Sequence, residues 1–126
     1  MTNDTRPAVL VVDDDTAVRG VLGAMLEHQG FAVREAASGT EGVETYARHA
    51  AEIDAVVLDV QMPEKDGPQT LAELRALDPD VPCVFVTGYS PNYTHGELAD
   101  QGATVLSKPV TMAELGRAVR AATGRG

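Results

Sequence analysis

Three carboxylates stand in a row where an apolar run ends: Ala8-Val-Leu-Val-Val12 is followed by Asp13, Asp14 and Asp15. Adjacent carboxylates repel, and a carboxylate beside an apolar core loses hydration. Either the acids fan out into water or something positive sits among them. Other polar groups close apolar runs in the same way. Asp59 ends DAVVLD, Thr87 ends CVFVT, and Lys108 follows VLS. A lone buried aspartate or lysine is costly, so each needs a partner. If Asp13, Asp14 and Asp59 converge, one lysine cannot balance them. A hard divalent cation can, and Mg²⁺ takes one or two carboxylates together with waters and a phosphate. Asp15 is better placed at the start of the following helix, where an acid favours the helix dipole. Each residue alone has a plainer reading: an exposed turn and N-cap for Asp13 to Asp15, a strand end for Thr87, a solvated Lys108, a satisfied core acid at Asp59. Their joint position at four run ends favours a site.

The elements that must position these residues alternate along the chain. Residues 8–13 read as a strand buried on both faces. Val18, Val21, Leu22, Met25 and Leu26 recur at helical spacing, and Gly30 stops that helix. Residues 31–35 form a second, less apolar strand, expected nearer an edge. Ser38 and Glu41 form a capping box, and Val43, Tyr46, Ala47 and Ala50 give the helix behind it an apolar face. A third strand spans 54–60. Gly67-Pro68 opens a third helix with Leu71, Leu74 and Leu77 inward, and Asp78-Pro79 ends it. A fourth strand spans 82–87. Residues 91–101, with Gly96 and few large apolar groups, predict only a short, mobile helix. A fifth strand spans 103–107, and Thr111 with Glu114 caps a last helix lined by Met112, Leu115, Val119 and Ala122. The tail from Gly124 should fray. Five strand–helix units imply an α/β fold with a parallel sheet covered on both faces, and such sheets carry their sites beyond the strands' carboxyl ends.

Composition narrows the function. The 126 residues suit one domain, with 44% hydrophobic and 23% charged residues, as in ordinary globular chains. A formal charge of -9 disfavours direct binding to nucleic acid and suits divalent cations. No apolar run approaches a membrane span, and MTNDTRP lacks the pattern of a signal peptide, so a cytoplasmic protein is expected. Cys83 is the only cysteine, which rules out an internal disulfide and a thiolate metal cluster. His28, His49 and His95 show no zinc-ligand spacing.

VLVVDDD at 9–15, VLDVQMPEKDG at 57–67, VTG at 86–88 and SKP at 107–109 together resemble the receiver domain of bacterial two-component response regulators. The similarity covers roughly 8–123, in one order and on the expected strand ends. It implies a flavodoxin-like, doubly wound (βα)5 fold with five helices around a five-stranded sheet, in the order 2-1-3-4-5 of the family's chemotaxis member. It implies that Asp59 accepts a phosphoryl group from a phosphohistidine on a sensor histidine kinase or phosphotransfer protein. Asp13 and Asp14 would organise Mg²⁺, with Asp14 the expected direct ligand, and the backbone carbonyl of Gln61 would join them. Thr87 would hydrogen-bond the phosphoryl group and Lys108 would pair with it, with Lys108-Pro109 a cis peptide in many members. Gln61 and Tyr89 would flank the path of hydrolytic water, and the bulk of Tyr89 is expected to shield the phosphoryl group in part. Such a domain is a phosphoacceptor that assists its own phosphorylation and dephosphorylation rather than an enzyme acting on a separate substrate. Phosphoryl transfer needs positioning and charge neutralisation, which Mg²⁺, Lys108 and Thr87 would supply.

Two features depart from the family pattern. Three residues before the lysine, where members carry Tyr or Phe, stands Val105, which has no ring to swing and a stiff χ1. Signalling is therefore expected to rest on Thr87, the loop after it and the 91–101 helix, within the 87–107 region. No output domain follows the last helix, which suggests a single receiver domain over 1–126, or the receiver segment of a hybrid histidine kinase. A downstream protein would dock on the 91–122 face, with the chain a monomer or weak dimer. A phosphorylation-independent docking module is the alternative in another functional class. A flavin binder is disfavoured because three acids would repel its phosphate. A haloacid-dehalogenase-type phosphatase matches the Asp13/Asp15 spacing but would need capping insertions absent here.

Overall fold

A computed structural model describes residues 6–88 and 90–124. Five strands alternate with five helices: β1 (Ala8–Val12), α1 (Thr16–His28), β2 (Ala32–Ala36), α2 (Gly39–His49), β3 (Ala55–Asp59), α3 (Gly67–Leu77), β4 (Cys83–Thr87), α4 (His95–Ala99), β5 (Thr104–Ser107) and α5 (Met112–Thr123). The strands form one parallel sheet in the order β2-β1-β3-β4-β5, as the resemblance implied. The apolar runs of β1, β3 and β4 take the interior, where every residue of β3 and β4 is buried. The mixed sequences of β2 and β5 take the edges.

Side chains alternate between two apolar layers, as the two-residue period of a strand requires. Leu10, Val12, Val56, Leu58 and Phe85 face Tyr46 of α2, Leu71 and Leu74 of α3 and Leu98 of α4. Val9, Val11, Val57, Val84 and Val86 face Leu22 and Leu26 of α1 and Leu115 and Val119 of α5. All five strands run the same way, so their carboxyl ends converge on one edge of the sheet.

The helix starts follow the capping chemistry. The Asp15 side chain accepts from the amides of Ala17 and Val18, which makes it the N-cap of α1. Ser38 caps α2, but the Glu41 carboxylate reaches back one residue further than a capping box, to the amide of Ala37. Thr111 and Glu114 form the expected box on α5. Two further boxes were not anticipated: Asp66 with Gln69 on α3, and Thr94 with Glu97 on α4.

Several expectations need correction. Strand β2 begins one residue later than expected, because Phe31 turns into the core after the left-handed Gly30. Ala47 and Ala50 are exposed, and α2 instead packs through Gly39, Gly42, Thr45 and Tyr46. Val21, Leu77 and Met112 are also exposed. Each lies near a helix end or on the flank of an apolar stripe wider than the core it covers. Helix α4 is short, five residues, as its composition suggested. The expected fraying tail is described only to Gly124, whose left-handed backbone closes α5; residues 125–126 lie outside the described residues.

Candidate functional site

Asp13 follows the last residue of β1 and is buried, its amide still donating to the carbonyl of Ala36 on β2. One carboxylate oxygen, Oδ1, accepts from the amide of Asp15 at 2.9 Å, which turns the chain sharply into α1. Arg19, one turn into that helix, donates through Nη1 to the Asp13 carbonyl at 2.8 Å and through Nε to Glu35 at 3.0 Å. Asp59 ends β3, next to β1, and is 6% exposed. Asp14 points outward and is exposed. Even so, Asp13, Asp14 and Asp59 each offer a carboxylate oxygen within 4.8 Å of the others.

Lys108 is brought in by the pairing of β4 with β5. Thr87 lies opposite Ser107, and the amide of Lys108 donates to the Thr87 carbonyl at 2.8 Å. From there Nζ reaches Asp13 Oδ2 and Asp59 Oδ1, 3.2 Å from each. The Lys108-Pro109 bond is cis. Thr87 is buried, and among the described residues its hydroxyl makes only a long contact of 3.5 Å to the Gly88 carbonyl, which leaves it available to serve another acceptor.

The electrostatics follow from this crowding. Burial pushes the Asp59 carboxyl up, and Asp13 adds to the push. Lys108 pulls it back, and the result is a value of about 6. Burial works against the Lys108 ammonium, but Asp59 and Asp13 outweigh it and hold Lys108 above its usual value. Three acids against one lysine leave a formal surplus of two negative charges when all are ionised. The donors are all carboxylate oxygens, without histidine or cysteine, which suits a hard divalent cation such as Mg²⁺ rather than zinc or copper. The three adjacent acids thus divide: Asp15 is a helix cap, while Asp13 and Asp14 belong to an acidic cluster partly neutralised by Lys108.

The structure therefore brings together Asp13, Asp14, Asp59 and Lys108, with Thr87 joined to them through the strand pairing. Gln61 is exposed two residues beyond Asp59, lining a cleft of about 240 Å³ with Asp66, Ser90 and Tyr93. Val105 is half-buried opposite Phe85. Tyr89 lies outside the described residues. Sequence reasoning missed Arg19, whose contacts to Asp13 and Glu35 span 6 and 16 residues and leave no periodic signal.

A family model described as response regulator receiver domain matches residues 9–120. The sensor kinase CckA of Brucella abortus is 41% identical over 113 residues, covering 89% of this chain and 12% of that protein. The transcriptional regulatory protein PrrA of Mycobacterium tuberculosis is 39% identical over 121 residues, covering 95% of this chain and 51% of that protein. The chain thus spans about half the length, or less, of these relatives. The crystal structure of a response regulator receiver domain protein from Clostridium thermocellum superposes with a TM-score of 0.88 at 30% identity, covering 94% of this chain and 95% of that one.

Proposed function

The chain belongs to the response regulator receiver domain family, and on that premise we propose that Asp59 accepts a phosphoryl group from the phosphohistidine of a sensor histidine kinase or phosphotransfer protein. The observation that carries this reading is Lys108 Nζ standing 3.2 Å from both Asp13 and Asp59, with both acids buried. An ammonium so placed neutralises charge where a phosphoryl group on Asp59 would sit.

In the proposed step a carboxylate oxygen of Asp59 attacks phosphorus. An O–P bond forms, the P–N bond to imidazole breaks, and the leaving histidine takes the electron pair. Asp59 must be ionised to attack. Asp13, Asp14, Asp59 and the backbone carbonyl of Gln61 are the groups proposed to hold Mg²⁺, which when bound neutralises the phosphoryl oxygens. Lys108 pairs with the same oxygens, and the Thr87 hydroxyl turns from Gly88 to donate to one of them. Water later attacks phosphorus in line, cleaves the O–P bond, releases inorganic phosphate and restores the carboxylate, on a path that the family resemblance assigns Gln61 and Tyr89 to flank. The domain thus serves its own phosphorylation and dephosphorylation and signals through residues 87–107.

The surrounding biology is proposed on the same basis. The chain works as one receiver domain, in the cytoplasm, where kinase domains carry phosphohistidine. It relays its state to a protein target through the 91–122 face, as a monomer or weak dimer, without touching nucleic acid or membrane. No helix among the described residues is long and apolar enough to cross a membrane.

The test is intact mass after incubation with acetyl phosphate and Mg²⁺, with Asp59→Asn alongside. One added phosphoryl group, lost in the variant and on chelation, is the expected result. An adduct that persists in Asp59→Asn refutes the assignment of Asp59. No adduct, together with no response to beryllofluoride, would leave a docking module instead.

A further inference from the structure

With Val105 where the family carries a ring, the apolar layer on the α3 and α4 side of the sheet needs another group to couple Thr87 to the output face. Tyr93 stands in a position to do so. It lies six residues after Thr87, on the loop between β4 and α4. Its ring packs against the same apolar layer as Val105, the layer that holds Met62, Phe85 and Leu98. Its hydroxyl donates to Asp66 Oδ2 at 2.8 Å, across 27 residues of sequence. Asp66 is the N-cap of α3, and its other oxygen, Oδ1, accepts from the amide of Gln69. One carboxylate therefore ties the β4–α4 loop to the β3–α3 loop, at the cleft that Gln61, Asp66, Ser90 and Tyr93 line.

The arrangement belongs to a free Asp59 carboxylate, since its Oδ1 accepts from Lys108. In it the Thr87 hydroxyl makes a weak 3.5 Å contact to the Gly88 carbonyl. A phosphoryl group on Asp59 would offer that hydroxyl a charged acceptor, a stronger bond than the one it has. Turning Thr87 toward it pulls on the chain that follows, and Tyr93 anchors that chain six residues on.

Resting on the receiver reading above, we propose that the Tyr93–Asp66 hydrogen bond is a latch that holds the β4–α4 loop in its resting arrangement. Phosphorylation of Asp59 must work against it, and the latch takes up the switching role that Val105 cannot fill. Tyr93 is a positioning residue: it acts through Thr87 and touches no reacting atom. A second tyrosine supplies an internal control. Tyr46 donates to Asp78 Oδ2, also at 2.8 Å, at the opposite end of α3 and far from the strand ends that carry the site.

The experiment titrates beryllofluoride with Mg²⁺ into the wild type, Tyr93→Phe, Tyr46→Phe and Asp59→Asn. Backbone amide shifts of Ser90, Leu98 and Val105 give the readout, and thermal melts are taken on each protein. Tyr93→Phe keeps the ring and removes only the hydroxyl. The latch predicts that it binds beryllofluoride about three- to tenfold more tightly than wild type, the range that losing one hydrogen bond to a resting state allows. Its unliganded amide shifts should also move part of the way toward the liganded positions. Tyr46→Phe should melt at lower temperature with unchanged affinity. Unchanged affinity in Tyr93→Phe overturns the latch, even if that variant melts early, because the bond would then be merely structural. Weaker binding also overturns it, because the bond would then belong to the activated arrangement. Binding by Asp59→Asn equal to wild type would instead refute the receiver reading itself.

Discussion

Asp59 is held against its own solvation, and removing its charge should therefore stabilise the metal-free protein at neutral pH. Burial and Asp13 raise its carboxyl from 3.8 to about 6. At about 1.36 kcal/mol per unit, a rise of that size is a differential of ~3 kcal/mol between the protonation states. The sign follows from linkage. Between pH 4 and 6 the folded protein holds a proton on Asp59 that the unfolded chain has released. Stability from this group is thus present in acid and is lost as pH rises through 6, after which it stays lost. Asp59→Asn has no such proton.

The measurable quantity is the difference in unfolding free energy between Asp59→Asn and wild type, by urea titration in chelated buffer from pH 4 to 8. Titration of the other acids largely cancels in that difference. The difference should grow by ~2 kcal/mol between pH 4 and 7, the rest being lost below pH 4, which is a relative midpoint shift on the order of 1–2 M at ordinary m-values. The attraction between Asp59 and Lys108 is already contained in the value of about 6, so its loss in the variant does not reduce that gain. Adding Mg²⁺ at pH 7 should then close the gap, since a cation bound at a hundred times its Kd adds ~2.7 kcal/mol to a folded state that holds it. A difference that stays flat from pH 4 to 7, or that grows toward acid, would refute the picture of three crowded carboxylates relieved by a cation.

The same reasoning extends to other positions. Lys108→Met removes the one ammonium 3.2 Å from both buried acids. In chelated buffer the pH at which wild-type-like stability is lost should move above 6, read from the same urea series. Gly67→Ala places a methyl carbon 2.6 Å from the Asp59 carbonyl and 2.8 Å from Val60 Cα, backbone atoms of the acceptor and of the residue after it. It should cost about 1–3 kcal/mol in thermal melts, at the scale of overpacked cores. Gly116→Ala meets instead the movable end of Gln29. Its loss of the Gln29 to Met112 bond is offset by about 1 kcal/mol of helix propensity, so its melt should lie near wild type. Burial pushes the Cys83 thiol up to about 12, so the native protein should resist a disulfide reagent at pH 8 and react only on unfolding.

How much of this was legible beforehand depends on the distance over which each feature is encoded. Strand cores, the caps at Asp15, Ser38 and Thr111, and the edge position of β2 are local, set by continuous apolar runs and by residues two or three apart. Asp13, Asp59, Thr87 and Lys108 were readable because a parallel sheet brings the carboxyl ends of its strands together, so four local observations became one site. Arg19 was not readable, because an arginine on α1 looks like any solvated helix residue until the turn at Asp13 presents its carbonyl. The Tyr93–Asp66 bond was hidden for a related reason. Asp66 announces itself only as a helix cap, and a cap uses one carboxylate oxygen, leaving the second free for a partner that sequence spacing cannot name. The departure at Val105 was visible, but what answers it was not. A missing ring is a statement about one position. A replacement coupling is a statement about two loops that meet only after β3 and β4 have paired. If Tyr93→Phe binds beryllofluoride more tightly, the switch in this chain will have been moved from a strand to a loop without moving the acid that triggers it.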